Sequence, residues 1–217
     1  IHRIHEKTVK ALHQQKEDER SNKRSGVVND GAVVLAPESG YFQSFSTDQL
    51  VKIAKKKNTT IRFLHSTGDY ILKGTPFLET SNIEKADDDL RAQLFAAIDF
   101  YRGQPIAKNV YYGFQHLMEI GIKALSPGIN DPVTAVLCLH ALTDLFACKL
   151  VYEEAPVFVD EDGWPRVVAK ARSLTQTFDS SILPIWHYGR NDQHIQQALL
   201  RLVEQLRSVD KEKQLAP

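Results

Sequence analysis

The stretch Ala124-Leu-Ser-Pro-Gly-Ile-Asn-Asp-Pro-Val-Thr-Ala135 sets two prolines, a glycine and four short polar side chains between two strongly apolar segments. Proline lacks the N–H that a helix interior needs, so the chain must break here and start again. Asp131 stands directly before Pro132, the arrangement of an N-cap followed by proline at the first helical position, where the missing N–H costs nothing. The spacing predicts a helix from about Asn109 to Ala124, with Phe114, Leu117, Met118, Gly121, Ile122 and Leu125 inward. After the loop, a helix from Pro132 to about Glu153 is apolar nearly all round and is expected to be the central one.

Working outward, the pattern before Thr80 is β-rich. Val27-Val28, Ala32 to Leu35, Gly40 to Phe45, Thr60 to Leu64 and Tyr70 to Leu72 are short β-branched or aromatic runs separated by Asn-Asp-Gly, Pro-Glu-Ser-Gly and Ser-Thr-Gly-Asp turns. They predict a small barrel or sandwich. One helix interrupts it, Gln49 to Lys57, capped by Thr47 or Asp48. From Asp87 or Asp88, a second capped segment carries Leu90, Leu94, Phe95, Ile98 and Tyr101 on one helical face. Further helices are expected near Arg166 to Leu174, Asp179 to Tyr188 and Asp192 to Val209, with Asp192 as the last N-cap. Residues 1–25 read as an exposed helix ending in the linker Ser21 to Gly26.

Charge is balanced, 27 basic against 27 acidic residues, which gives no electrostatic case for a nucleic-acid partner. Cys138 and Cys148 lie in one apolar helical stretch, about 15 Å apart at helical rise, and read as reduced core thiols. His140, Thr143, Asp144 and Lys149 interrupt the longest apolar run, which argues against a membrane span there. Residues 1–25 hold seven Lys/Arg against four acids. The chain begins at Ile1 without a methionine, so a preceding segment is expected. A basic stretch just beyond a membrane span would lie on the cytoplasmic side.

Residues Asn109 to Ala135 as a block resemble the signature of a bacterial family of predicted membrane proteins, domain of unknown function 2254. Ile1-His-Arg-Ile-His5 resembles that family's His-rich exit from its last membrane helix, and Ser39-Gly-Tyr-Phe-Gln43 its early β-segment. Gly68-Asp-Tyr-Ile71 with Gly74-Thr-Pro-Phe77 resembles the continuation of that segment, and Trp186 to Asp192 a C-terminal turn. The resemblance implies the region following a block of membrane helices, in the cytoplasm of a bacterial inner-membrane protein. It departs from the family at Lys108-Asn109, where many members carry Gln-Asp, and near Gln115, where many carry arginine. The β-region also resembles the barrel-sandwich hybrid of lipoyl-type domains, but its expected hairpin tip, His65 to Asp69, has no lysine. No covalent cofactor is expected, and Gly68 and Gly74 read as positive-φ or close-approach positions.

Several polar residues are candidate ligand groups. Ser126, Asn130, Asp131 and Thr134 surround the N-terminal N–H groups of the central helix, where anions can bind, although an aspartate cap already occupies such donors. His140 and Asp144 share a helix face and read either as a buried self-satisfying pair or as a proton shuttle. His116 and Glu119 have i,i+3 spacing, yet no His-Glu-x-x-His pattern is present and no metal is expected. His2, His5 and His13 read as solvated, and Lys52 with Lys55 to Lys57 as a solvated helix end or a contact for anionic lipid headgroups.

The resulting expectation is an α+β chain: a juxtamembrane helix and linker (1–25), a small β-barrel or barrel-sandwich-like module (26–80), a helical bundle (86–209) and a tail (210–217). Its expected role is regulatory or ligand-sensing, with self-association into a homo-oligomer and the protein's own N-terminal membrane helices as partners. An enzyme is the alternative, and it requires His116, Ser126, Asn130, Asp131 and His140 to converge in one cleft. A purely structural scaffold is the third reading, and it predicts a large apolar surface patch in place of a pocket.

Overall fold

A computed structural model describes residues 1–19, 31–101, 110–150 and 157–210. The expected linker 21–26, the Val27-Val28 strand, the Lys108-Asn109 departure, the far end of the central helix and the tail beyond 210 lie outside the described residues. In chain order the elements are α1 (His2–Glu19), β1 (Gly31–Leu35), β2 (Gly40–Phe45), α2 (Thr47–Lys56), β3 (Ile61–Ser66), β4 (Tyr70–Ile71), β5 (Pro76–Ser81), α3 (Asp88–Ala96) and β6 (Ile98–Tyr101). There follow α4 (Val110–Ala124), α5 (Pro132–Lys149), β7 (Val157–Val159), β8 (Pro165–Lys170), α6 (Leu174–Ser181), α7 (Leu183–Gly189) and α8 (Gln193–Val209). They form two compact units. The sheet unit takes Gln15–Asn109 and Glu154–Ala171, and the helical unit takes Ile1–Gln14, Val110–Glu153 and Arg172–Pro217.

The α+β class therefore holds, but the simple order of barrel then bundle does not. Among the described residues the strands form two sheets, β1-β5-β3-β8-β7 and β4-β2-β6, with no closed barrel. Pairing is antiparallel except between β3 and β8. Arg166 to Leu174, expected as helix, contains strand β8: Val167 and Ala169 are buried while their neighbours are not, a period of two. So short a run fits both periods, and pairing with β3 decides it. Likewise Ile98 and Tyr101, expected on the α3 face, belong to β6, because α3 ends at the Ala97 cap. Asp179 to Tyr188 is not one helix. It is divided between α6 and α7 at Ile182, with Pro184 in the first turn of α7.

The sheet unit is held by phenylalanines. Phe42 of β2 stacks on Phe63 of β3 at 4.9 Å between ring centres and meets Phe77 of β5 edge-on at 5.1 Å. Phe95 of α3 and Phe100 of β6 close over Phe77. Leu50 and Ala54 bring α2 onto the same core. The cap of α2 is Ser46, without a side-chain hydrogen bond, and not Thr47 or Asp48. Asp87 caps α3 as expected. The Ser66 to Asp69 turn carries Gly68 at φ 90°, and Gly74 sits at φ 80°, conformations that only glycine adopts freely.

In the helical unit α5 packs against α4 and α8. By length and composition alone the 18-residue α5 could cross a membrane. Half of the helix is buried inside the unit, so its apolar composition serves packing here. Its apolarity is nevertheless not matched by burial all round: Val133, Leu137, His140 and Asp144 form an exposed stripe. Lys149 is buried at its far end, where Nζ donates to the Arg172 carbonyl at 2.8 Å and lies over the Tyr111 ring.

The expectation of an exposed first helix is overturned. Thr8, Ala11 and Leu12 are buried, and Ile1, Ile4 and Val9 pack against the helical core. Gly113 makes this possible. A Cβ on Gly113 would stand 1.9 Å from Thr8 Oγ1, so the two helices meet where one of them has no side chain. The Thr8 hydroxyl is satisfied by its own helix, donating to the Ile4 carbonyl at 2.8 Å.

Candidate functional site

The Ser126 to Thr134 loop is built from its own hydrogen bonds. At the end of α4, Ser126 Oγ donates to the Lys123 carbonyl at 2.7 Å. The Ser126 carbonyl accepts from the N–H groups of Ile129 and Asn130, and Asp131 N–H returns to the Ala124 carbonyl at 2.8 Å. Asn130 takes the left-handed conformation, φ 48°, that asparagine tolerates better than most residues. Asp131 then caps α5, with Oδ1 accepting from Thr134 N–H at 3.0 Å and Oδ2 from the Thr134 hydroxyl. Those bonds, the hydroxyl's first, hold the Asp131 carboxyl below its ordinary pKa. An ionised carboxylate thus occupies the helix N-terminus, and Ser126, Asp131 and Thr134 are engaged within the turn.

The structure brings these four loop residues together and leaves the two histidines apart. His116 lies two turns back along α4, stacked on Tyr112 at 5.1 Å between ring centres. His140 is two turns into α5 and exposed. Among the described residues no hydrogen bond or ion pair joins either histidine to the loop, so the convergence an enzyme reading requires is not present there. His140 and Asp144 do not form a buried pair, since both are exposed. Asp144 instead faces His5 of α1 across 3.4 Å, so His5 is a docking contact of α1 and not simply solvated. Among the described residues no cluster of three or more His, Cys, Asp or Glu could hold a metal ion.

A second polar region lies in the sheet unit. The start of α2 and the end of β7 border an open cleft of about 490 Å³, with Ser46, Thr47, Asp48 and Lys52 on one side and Phe158 and Glu161 on the other. Asp160 organises the neighbouring β7–β8 hairpin. Its Oδ1 accepts from the N–H groups of Asp162 and Trp164, and its Oδ2 from Arg166 Nε at 2.7 Å. Arg166 also reaches the Thr59 carbonyl beyond α2, and Lys55 of α2 pairs with Glu161 and Asp162. Lys55 therefore ties the hairpin to α2, and Arg166 ties it to the segment that follows α2. The pairing of this hairpin with α2 is not legible in the sequence, because the two halves lie more than one hundred residues apart along the chain.

The Arg166 guanidinium, with the turn N–H groups, holds the Asp160 carboxyl below the usual carboxylate range. A depressed folded-state pKa adds stability that is present above the unfolded value of about 4 and is lost as pH falls through the folded value. The thermal midpoint of Asp160→Asn should thus lie below wild type at neutral pH, and the gap should narrow in acid below about pH 4. A gap that stays constant down the acid limb would mean that the carboxylate has no part in it.

Fold and sites together define a two-unit α+β region with a docked N-terminal helix, in which His116 and His140 stand apart from the Ser126 to Thr134 loop. The chain belongs to the family described as predicted membrane protein, domain of unknown function 2254, which matches residues 1–205. Similar proteins include an uncharacterized protein of Mycobacterium bovis and another of Mycobacterium tuberculosis, each 25% identical over 118 residues. The match covers 52% of this chain and 23% of each relative, so the chain spans well under half the length of the relatives it matches. No solved structure matches.

Proposed function

We propose that this chain is the cytoplasmic region of a bacterial inner-membrane protein and serves there as a regulatory module driven through α1. The observation that carries the reading is the seat of α1: Thr8, fully buried, fits against the bare backbone of Gly113. A tether that merely joined a domain to a membrane would need no such seat. A helix locked into a packed core transmits displacement, because close-packed cores shift between discrete arrangements more readily than they deform. The family supports a membrane partner, and the excess of basic residues in 1–25 supports the cytoplasmic side. The Ser126 to Thr134 turn fits this role by fixing the start of α5, which buries Ala135, Leu139, Leu142 and Leu145 in the core that receives α1.

The test uses the full-length protein in lipid vesicles, comparing wild type with Gly113→Ala by limited proteolysis and hydrogen exchange. Unseating α1 should raise exchange in α1 and also alter the cleavage pattern of the membrane-embedded part. Raised exchange in α1 with an unaltered membrane part would sink the regulatory reading and leave α1 a structural strut.

A further inference from the structure

We propose that α7 is a membrane-surface helix, whose outward face of Leu183, Trp186, His187 and Arg190 lies in the headgroup region of a bilayer containing anionic lipid. The proposal rests on the reading above that this chain works beside a membrane-embedded part. A surface helix ordinarily turns its polar side outward. α7 does not. Ile182, Ile185 and Gly189 are buried at spacing i, i+3 and i+7 and hold one face against the helical unit. Leu183, Trp186, His187 and Arg190 recur at i, i+3, i+4 and i+7 on a different face, and all four are exposed, Leu183 at 45% and Trp186 at 46%.

Chemistry and position both point to lipid. An indole, a guanidinium and an imidazole beside a leucine make up the composition of helices that lie in the interfacial layer. No acidic residue stands between Ser180 and Asn191, and Asp192, the next one, is engaged as the cap of α8. A Cβ on Gly121 of α4 would stand 3.0 Å from Ile185 Cδ1 and 3.6 Å from Cys138 Cβ, so α7 meets α4 beside Cys138 of α5. Burial pushes the Cys138 thiol up to about 11, and the amino group of Ile1 draws it back, which sets the start of α1 near the same place. α7 thus lies close to the start of the helix through which the chain is coupled to its membrane partner. The segments outside the described residues join the unit away from here. By helical rise Val110 is about 16 Å along α4 from Gly121, Leu150 about 18 Å along α5 from Cys138, Glu19 about 27 Å along α1 from Ile1, and Asp210 about 25 Å along α8 from Gln193.

Trp164 and Trp186 are the two tryptophans of the chain, so Trp164→Phe leaves Trp186 as the only indole reporter. The 217-residue Trp164→Phe chain is titrated with vesicles of equal parts phosphatidylglycerol and phosphatidylcholine, with and without a lipid spin-labelled near its headgroup. Trp186 emission should shift to shorter wavelength on binding, and the shallow label should quench it. In that background Leu183→Glu should weaken binding by about tenfold or more, as for one leucine removed from an apolar contact. Arg190→Gln should weaken it about fivefold, as for one basic residue at an anionic surface. Both should keep the wild-type circular dichroism, and if Leu183→Glu does not fold, Arg190→Gln carries the test. An emission spectrum that vesicles leave unchanged overturns the proposal, as does binding that the folded variants retain in full. A shift that grows with protein concentration without lipid also overturns it, because a second copy would then cover this face. The outcome is separable from that of Gly113→Ala. Vesicle contact here with an unaltered membrane part there would defeat the regulatory reading alone, and the reverse pair of results would defeat the role of α7 alone.

Discussion

Gly113→Ala should destabilise the helical unit by about 1–3 kcal/mol, the usual cost of forcing extra atoms into a packed core. On an isolated helix the same change would stabilise by about 1 kcal/mol, since glycine is the poorer helix former. The geometry decides the sign. The new methyl would meet Thr8 Oγ1 at 1.9 Å, Cγ2 at 2.6 Å and Cβ at 2.8 Å, and no rotamer change at Thr8 relieves the last of these. The α1 backbone must move, which also strains the Ala11 and Leu12 packing and the His5 to Asp144 contact. Urea denaturation would show the loss, and hydrogen exchange should place it in α1 and the facing turn of α4. A variant as stable as wild type would mean that α1 is not seated as described.

Phe77→Ala should cost about 3–5 kcal/mol, the range for truncating a fully buried phenylalanine. Phe77 is 0% exposed and lies between the two sheets, touching Phe42 and Phe100 on one side and Phe63 on the other. Its removal leaves a cavity lined by rigid rings that strand pairing holds apart, so collapse offsets little of the loss. Near-ultraviolet circular dichroism during denaturant unfolding would follow the aromatic cluster directly. A loss below about 1 kcal/mol would mean that the rings repack freely and that the cluster is not the centre of this unit.

Sequence legibility followed the range of the forces involved. The caps at Asp87, Asp131 and Asp192 were readable because a cap is satisfied within three residues, and all three make the expected bonds. Gly68 and Gly74 were readable for the same local reason. The helical break at residues 126–131 was fixed by proline alone. What was not legible depends on partners distant along the chain. β8 is a strand because β3 lies beside it, and the cleft beside α2 exists because β7 and its hairpin return to it from the far end of the sequence. α1 looked solvated because its many charged residues outweigh a narrow apolar face, Ile4, Thr8, Ala11 and Leu12. Only the absence of a side chain at Gly113, more than one hundred residues away, shows that this face has a seat.

A double-mutant cycle between Thr8 and Gly113 measures that seat most directly. Thr8→Ala removes the two closest clashing atoms and should by itself cost little. Combined with Gly113→Ala, it should recover part of the lost stability, giving a coupling of at least ~1 kcal/mol between the positions, while the Cβ that alanine keeps at residue 8 still stands 2.8 Å from the new methyl and leaves a residual loss. Strictly additive losses, with no recovery, would contradict the account, because the two residues would then not share the contact through which α1 is held.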